Sequence, residues 1–144
     1  MRYLKIITVL CLSLVISACQ RPESQSITSL EINQHRLQVE LADTEQEKFI
    51  GLSGRSTLCA DCGMLFSFKP AQTTAFVMRD MNFALDMIGI REGRVVALDK
   101  NCLPQSGPNF TLYQHQTPVD YVLELNAGTI ARLQIKIDDQ VIFN

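Results

Sequence analysis

Leu30 and Ile32, then Leu37, Val39 and Leu41, place apolar side chains at every second position, the period of a strand with one face buried. Asn33, Gln34 and His35 interrupt them, so residues 29–42 are expected to form a hairpin with His35 near its tip. His35 reads there as a solvated turn residue, because no second His or Cys is near enough in sequence to share a metal. Thr44 and Glu47 have capping-box spacing, and Asp43 just ahead favours a helix start. Phe49, Ile50 and Leu52 give that helix an apolar face, and Gly51 or Gly54 is expected to end it after about two turns.

Farther along, Met64–Phe68 and Ala75–Met78 read as two strands separated by a turn at Lys69-Pro70. Leu85–Ile90 and Val95–Leu98 flank Glu92-Gly93-Arg94 as a second hairpin. Residues 100–118 hold Cys102, three prolines, Tyr113 and His115, and read as one long loop. Tyr121–Leu125 is the next strand, and Asn126–Thr129 leads into a short helix carrying Ile130 and Leu133. Ile135, Ile137, Val141 and Phe143 predict a closing strand pair around Asp138-Asp139. About eight short strands and two small helices predict an α+β domain, mainly antiparallel β, built as a compact barrel or a sandwich.

The first eighteen residues stand apart from this pattern. Arg2 and Lys5 precede an apolar run from Ile6 to Ile16, and Ile16-Ser17-Ala18-Cys19 closes it with small residues. That is the pattern of a bacterial lipoprotein signal peptide, with Cys19 lipidated as the new N-terminus. The run is shorter than the roughly 20 residues that a membrane-spanning helix needs. Gln20 after Cys19 points to an outer-membrane anchor facing the periplasm, and the polar residues 19–28 read as a flexible tether. Residues 29–144 are then one globular domain, expected to be monomeric. Without Arg2 and Lys5, eleven cations face fifteen acids, a formal charge of −4 that argues against nucleic acid and offers no polybasic patch to lipid.

Three long stretches, VELADTEQEKFIGLSGRSTLCADCGMLFSF, FVMRDMNFALDM and YVLELNAGTIARLQIKIDDQV, together resemble domain-of-unknown-function family 192, a set of small bacterial and archaeal proteins that are often exported. Ala42, Asp43, Thr44, Gly51 and Leu52 match its helix, and Arg55, Asp61, Gly63, Met64, Leu65 and Phe66 match the segment that follows. Phe76, Met78, Leu85 and Asp86 match a later segment, in which Val77, Arg79, Asp80 and Ala84 replace the family's Trp, Lys, Asn and Pro. The resemblance implies a fold and no reaction. It also implies that Arg55, Asp61, Met78, Arg79 and Asp86 form either a structural ion pair or a small polar pocket. In the pocket version an Arg clamps an anionic or sugar-like ligand.

Asp86 lies in an apolar run with Phe83, Leu85, Met87 and Ile88, so an ion pair with Arg55 or Arg79 is the expected way to hold its charge. Cys59 and Cys62 form a CxxC that runs into a strand and not a helix, so it lacks the helix dipole that activates redox thiols. An exported domain favours a disulfide, between these two or between either and Cys102. Cys59, Cys62 and Cys102 with Met64, Met78, Met81 and Met87 are also soft donors that suit Cu(I). His115 with a Cys could imitate a Cys–His nucleophile, but no phosphate loop, HExxH or Gly-x-Ser-x-Gly is present. The preferred reading is a non-enzymatic envelope accessory or binding domain with no cofactor, serving a small molecule or an envelope protein. Thiol-redox or copper handling and a small hydrolase are the rivals.

Overall fold

The front of the chain folds as its alternation predicts. β1 (Ile27–Ile32) pairs antiparallel with β2 (His35–Ala42), and Leu30 faces Leu37 across the ladder. Asn33 and Gln34 form the turn with φ of 51° and 65°, the double left-handed geometry of a tight hairpin. The structure, a computed structural model, describes residues 27–144; the residues read as signal peptide, Cys19 and most of those read as tether lie outside this range. Ile27 and Thr28, read as tether, already belong to β1.

The capping box is present as read. In α1 (Glu45–Ile50) the Thr44 hydroxyl accepts from the Glu47 amide, and the Glu47 carboxylate accepts from the Thr44 amide at 3.0 Å. The helix then departs from its expected packing. Phe49 and Ile50 are 69% and 50% exposed, and only Leu52, beyond the helix end, is buried.

β2 next pairs parallel with β3 (Cys62–Phe76), with α1 as the crossover between them. The remaining elements are β4 (Leu85–Arg91), β5 (Arg94–Cys102), β6 (Tyr113–Asn126), α2 (Thr129–Arg132) and β7 (Val141–Phe143). They form one seven-stranded sheet in the order β5-β4-β6-β3-β2-β1-β7. The sheet curls into a half-barrel. Its two edges are joined at one end by an Arg94–Gln140 bridge and by the Val141 amide donating to the Gly93 carbonyl. The barrel-like expectation therefore describes the domain better than the sandwich.

Three element assignments change. β3 runs through Pro70, where two strands were expected, because its register against β6 shifts between Ser67 and Gln72. Pro70 sits within that irregularity and owes the ladder no N–H. Tyr113–Pro118, read as loop, opens β6; its polar sequence hides the strand. The closing strand pair is β7 alone, since Ile135 enters the core from a turn and Ile137 is 51% exposed.

Each face of the sheet buries a cluster. Leu30, Leu37, Leu65, Ile88, Val95, Leu123 and Val141, one from each strand, fill the inside of the curl with Ile130 of α2 and Leu133 just beyond it. The opposite face of β3, β4 and β6 carries Met64, Phe66, Met87 and Val122, packed with Leu52, Met78 and Cys102. β3 and β6 lie so close that a Cβ on Gly63 would stand 2.6 Å from the Glu124 carbonyl oxygen. No larger residue fits there without moving the backbone.

Candidate functional site

The outer-face cluster does not close over completely. Between the α1 exit (Lys48–Ser53), the far half of β3 and residues 77–81 lies a cavity of about 460 Å³, the size of a small-molecule site. Its walls follow from strand alternation. Phe66, Phe68 and Phe76 come from β3, with Phe76 edge-on to the other two rings at 5.2 and 6.2 Å. Met78, which is buried, completes that side.

Glu124 of β6 also lines the cavity, although only 6% of it is exposed. The pleat puts it there. Leu123 and Leu125 point into the barrel, so Val122 and Glu124 point to the outer face. Among the described residues no side-chain hydrogen bond reaches its carboxyl, and burial alone pushes the acid up to about 8. At neutral pH Glu124 holds a proton and can donate a hydrogen bond. The Thr74 hydroxyl, also on the lining, is buried and has no hydrogen-bond partner among the described residues.

Two cations line the same cavity. The Lys48 ammonium lies 5.3 Å from the Phe68 ring centre, and the Arg79 guanidinium 4.5 Å from that of Phe49. Among the described residues the acid paired with each lies at the surface: Glu45 at 3.1 Å from Lys48 and Asp80 at 3.6 Å from Arg79. A chamber of mixed polar and aromatic lining, with an acid inside and two cations along it, can hold a small amphipathic molecule.

Of the residues expected from the sequence, Met78 and Arg79 meet here. Arg55, Asp61 and Asp86 do not. The Arg55 guanidinium donates to both carboxylate oxygens of Glu40, at 2.5 and 2.7 Å. That pairing holds Glu40 below the usual carboxylate range and raises Arg55. Asp61 accepts from Arg132 at 3.0 Å in an exposed pair. Asp86, expected to take an arginine, accepts instead from two backbone amides, Asn101 at 2.9 Å and Ile130 at 2.8 Å. Asn101 lies in a bulge of β5 with φ of 54°, which turns its amide toward the acid.

Cys59 and Cys62 are joined as a disulfide, and Cys102 remains a free thiol, fully buried. The bridged loop is held from outside, as Asn126 donates to the Leu58 and Cys59 carbonyls and Arg132 to that of Ala60. Burial, then the acids Asp99, Asp86 and Glu124, push the Cys102 thiol up to about 12. Among the described residues there is no group of three or more His, Cys, Asp or Glu placed to hold a metal. His35 is exposed at the start of β2, as its turn reading implies. His115 is buried and bonded through Nε2 to Asp99 at 2.7 Å. Its ring lies over Gly89, where a Cβ would come within 3.2 Å of Nδ1.

Sequence reasoning missed Glu124, the most informative residue of the site. A signal was present: an acid at the alternating position of the apolar run Val122-Leu123-Glu124-Leu125, the same kind that singled out Asp86.

Comparison with known proteins places residues 28–143 on the model of DUF192, described as an uncharacterized ACR. Two crystal structures resemble the chain. A Sinorhizobium meliloti protein described as a candidate transcription regulator is 30% identical over 85% of this chain and 98% of that one, with a TM-score of 0.79. A Novosphingobium aromaticivorans protein of unknown function is 32% identical over 80% of this chain and 84% of that one, with a TM-score of 0.74. No curated protein matches the chain.

Proposed function

We propose that this chain, which belongs to the uncharacterized DUF192 family, is a lipid-anchored binding domain of the bacterial outer membrane that holds a small, largely apolar molecule in the Glu124 cavity. One observation carries the reading. Glu124, an acid only 6% exposed and with no side-chain hydrogen bond among the described residues, lines a chamber walled in part by three phenylalanines and Met78, where a ligand or water can meet its carboxyl. The membrane side of the proposal rests on the Arg2–Cys19 pattern. A non-catalytic role is supported by the two side chains best suited to nucleophilic chemistry. Cys102 and His115 are both buried, and neither lines the cavity.

Nile red, an uncharged apolar dye, tests the cavity. The expected result is saturable binding with a blue-shifted emission that Met81→Trp abolishes, since this half-buried lining residue can fill the chamber. The unfolding midpoint of the variant should stay near that of the parent. Dye uptake unaffected by Met81→Trp, or no uptake at all, contradicts the reading. Incorporation of labelled palmitate, lost in Cys19→Ser, is the expected result for the anchor.

A further inference from the structure

We infer that the cavity selects an anionic amphiphile, its acidic head between Lys48 and Arg79, its apolar body along Phe66, Phe68 and Phe76, and a hydrogen-bond acceptor at its far end against Glu124. This rests on the binding role proposed above and adds the class of ligand.

The charges along the cavity decide the sign of the head group. Lys48 and Arg79 both line it, whereas Glu45 and Asp80, the acids beside them, do not. Those acids are 95% and 77% exposed, so water already screens them and they compete weakly for the cations. The cations are also held in place. Lys48 rests over Phe68, and Arg79 lies over Phe49 with its Nη2 directed at the Phe49 carbonyl, a long contact at 3.5 Å. The chain as a whole carries a formal charge of −2, so this pair runs against the general balance. A cationic ligand would meet both repulsions, and a neutral one would leave both cations unused.

The exposed apolar residues fit the same ligand. Phe49, Ile50 and Val77 line the cavity yet are 69%, 50% and 37% exposed. An amphiphile entering there would cover part of that surface. A plain alkyl tail would leave the Glu124 proton unbonded inside, and for this reason the far end is assigned an acceptor.

Displacement of Nile red by a matched series tests the inference: octanoate, 8-hydroxyoctanoate, octanol and octyltrimethylammonium. Octanoate should displace the dye at lower concentration than octanol, with 8-hydroxyoctanoate better still and the ammonium weakest. Lys48→Met and Arg79→Met should each weaken octanoate about ten-fold, the size of one charge-assisted contact, while leaving octanol unchanged. Equal displacement by octanol, or preference for the ammonium, overturns the anionic assignment while dye binding still upholds the cavity. Failure of the dye itself removes the binding role instead. Co-sedimentation with phosphatidylglycerol vesicles that is lost in the same two variants would place the anion on a lipid head group. Octanoate displacement without co-sedimentation would place it on a free acid.

Discussion

Asp86→Ala is expected to cost about 3–5 kcal/mol of folding stability, measured by urea unfolding at neutral pH. The carboxylate is 1% exposed and holds two backbone amides: Asn101 in the β5 bulge and Ile130 at the start of α2. Removing it strands the buried Ile130 donor at about 1–3 kcal/mol, leaves the part-buried Asn101 donor to water, and loses two charge-assisted bonds. Asp86→Asn keeps one acceptor oxygen and turns an NH₂ toward the other donor, so it should fall between the parent and the alanine variant. A loss below about 1 kcal/mol in Asp86→Ala would mean that the bulge and α2 find other partners.

Glu124→Gln is expected to remove most of the decline in stability between about pH 5 and pH 8. The acid is raised from 4.5 to about 8 by burial. Across that interval the unfolded chain gives up its proton while the folded chain keeps it. The folded state therefore binds more protons, and stability falls as pH rises, by about 1.4 kcal/mol per unit for one group. The total is about 5 kcal/mol, complete below the unfolded value and lost once pH passes about 8. The charged groups facing the site are Lys48 and Arg79 along the cavity, and Cys102 is the thiol close enough to feel Glu124. Cys102 titrates far above this window, and Glu40, held low by Arg55, acts below it. Urea midpoints at the two pH values should differ in the parent and nearly coincide in Glu124→Gln. A parent whose midpoint does not fall toward pH 8 would show an ordinary, solvated acid.

The sequence was most readable where local chemistry decides the structure. The Thr44–Glu47 capping box, the tight turn at Asn33-Gln34 and the hairpin around Glu92-Gly93 each need only residues close in sequence. The family resemblance covered almost the same residues as the family model. What escaped depends on distant partners. Pro70 looks like a turn until β6 is known to slip register beside it, and Tyr113–Pro118 looks like loop until β3 pairs with it. Asp86 was rightly read as a buried acid, but a backbone amide has no signature in a side-chain alphabet, so an arginine was assigned to it. Phe49 and Ile50 have the spacing of a buried helix face, yet they border an open cavity. Their exposure makes sense only with the site in view.

The central claim is that Glu124 is a protonated group awaiting a ligand. Carbon-13 NMR of glutamate side-chain carboxyls, followed from pH 5 to pH 10 with and without 8-hydroxyoctanoate, tests it most directly. Glu124, assigned by its loss in Glu124→Gln, should titrate near 8 in the free protein and move higher when the ligand accepts a hydrogen bond from the protonated acid and brings a negative head group. A midpoint in the ordinary glutamate range, or one near 8 that saturating ligand leaves unmoved, would contradict the account.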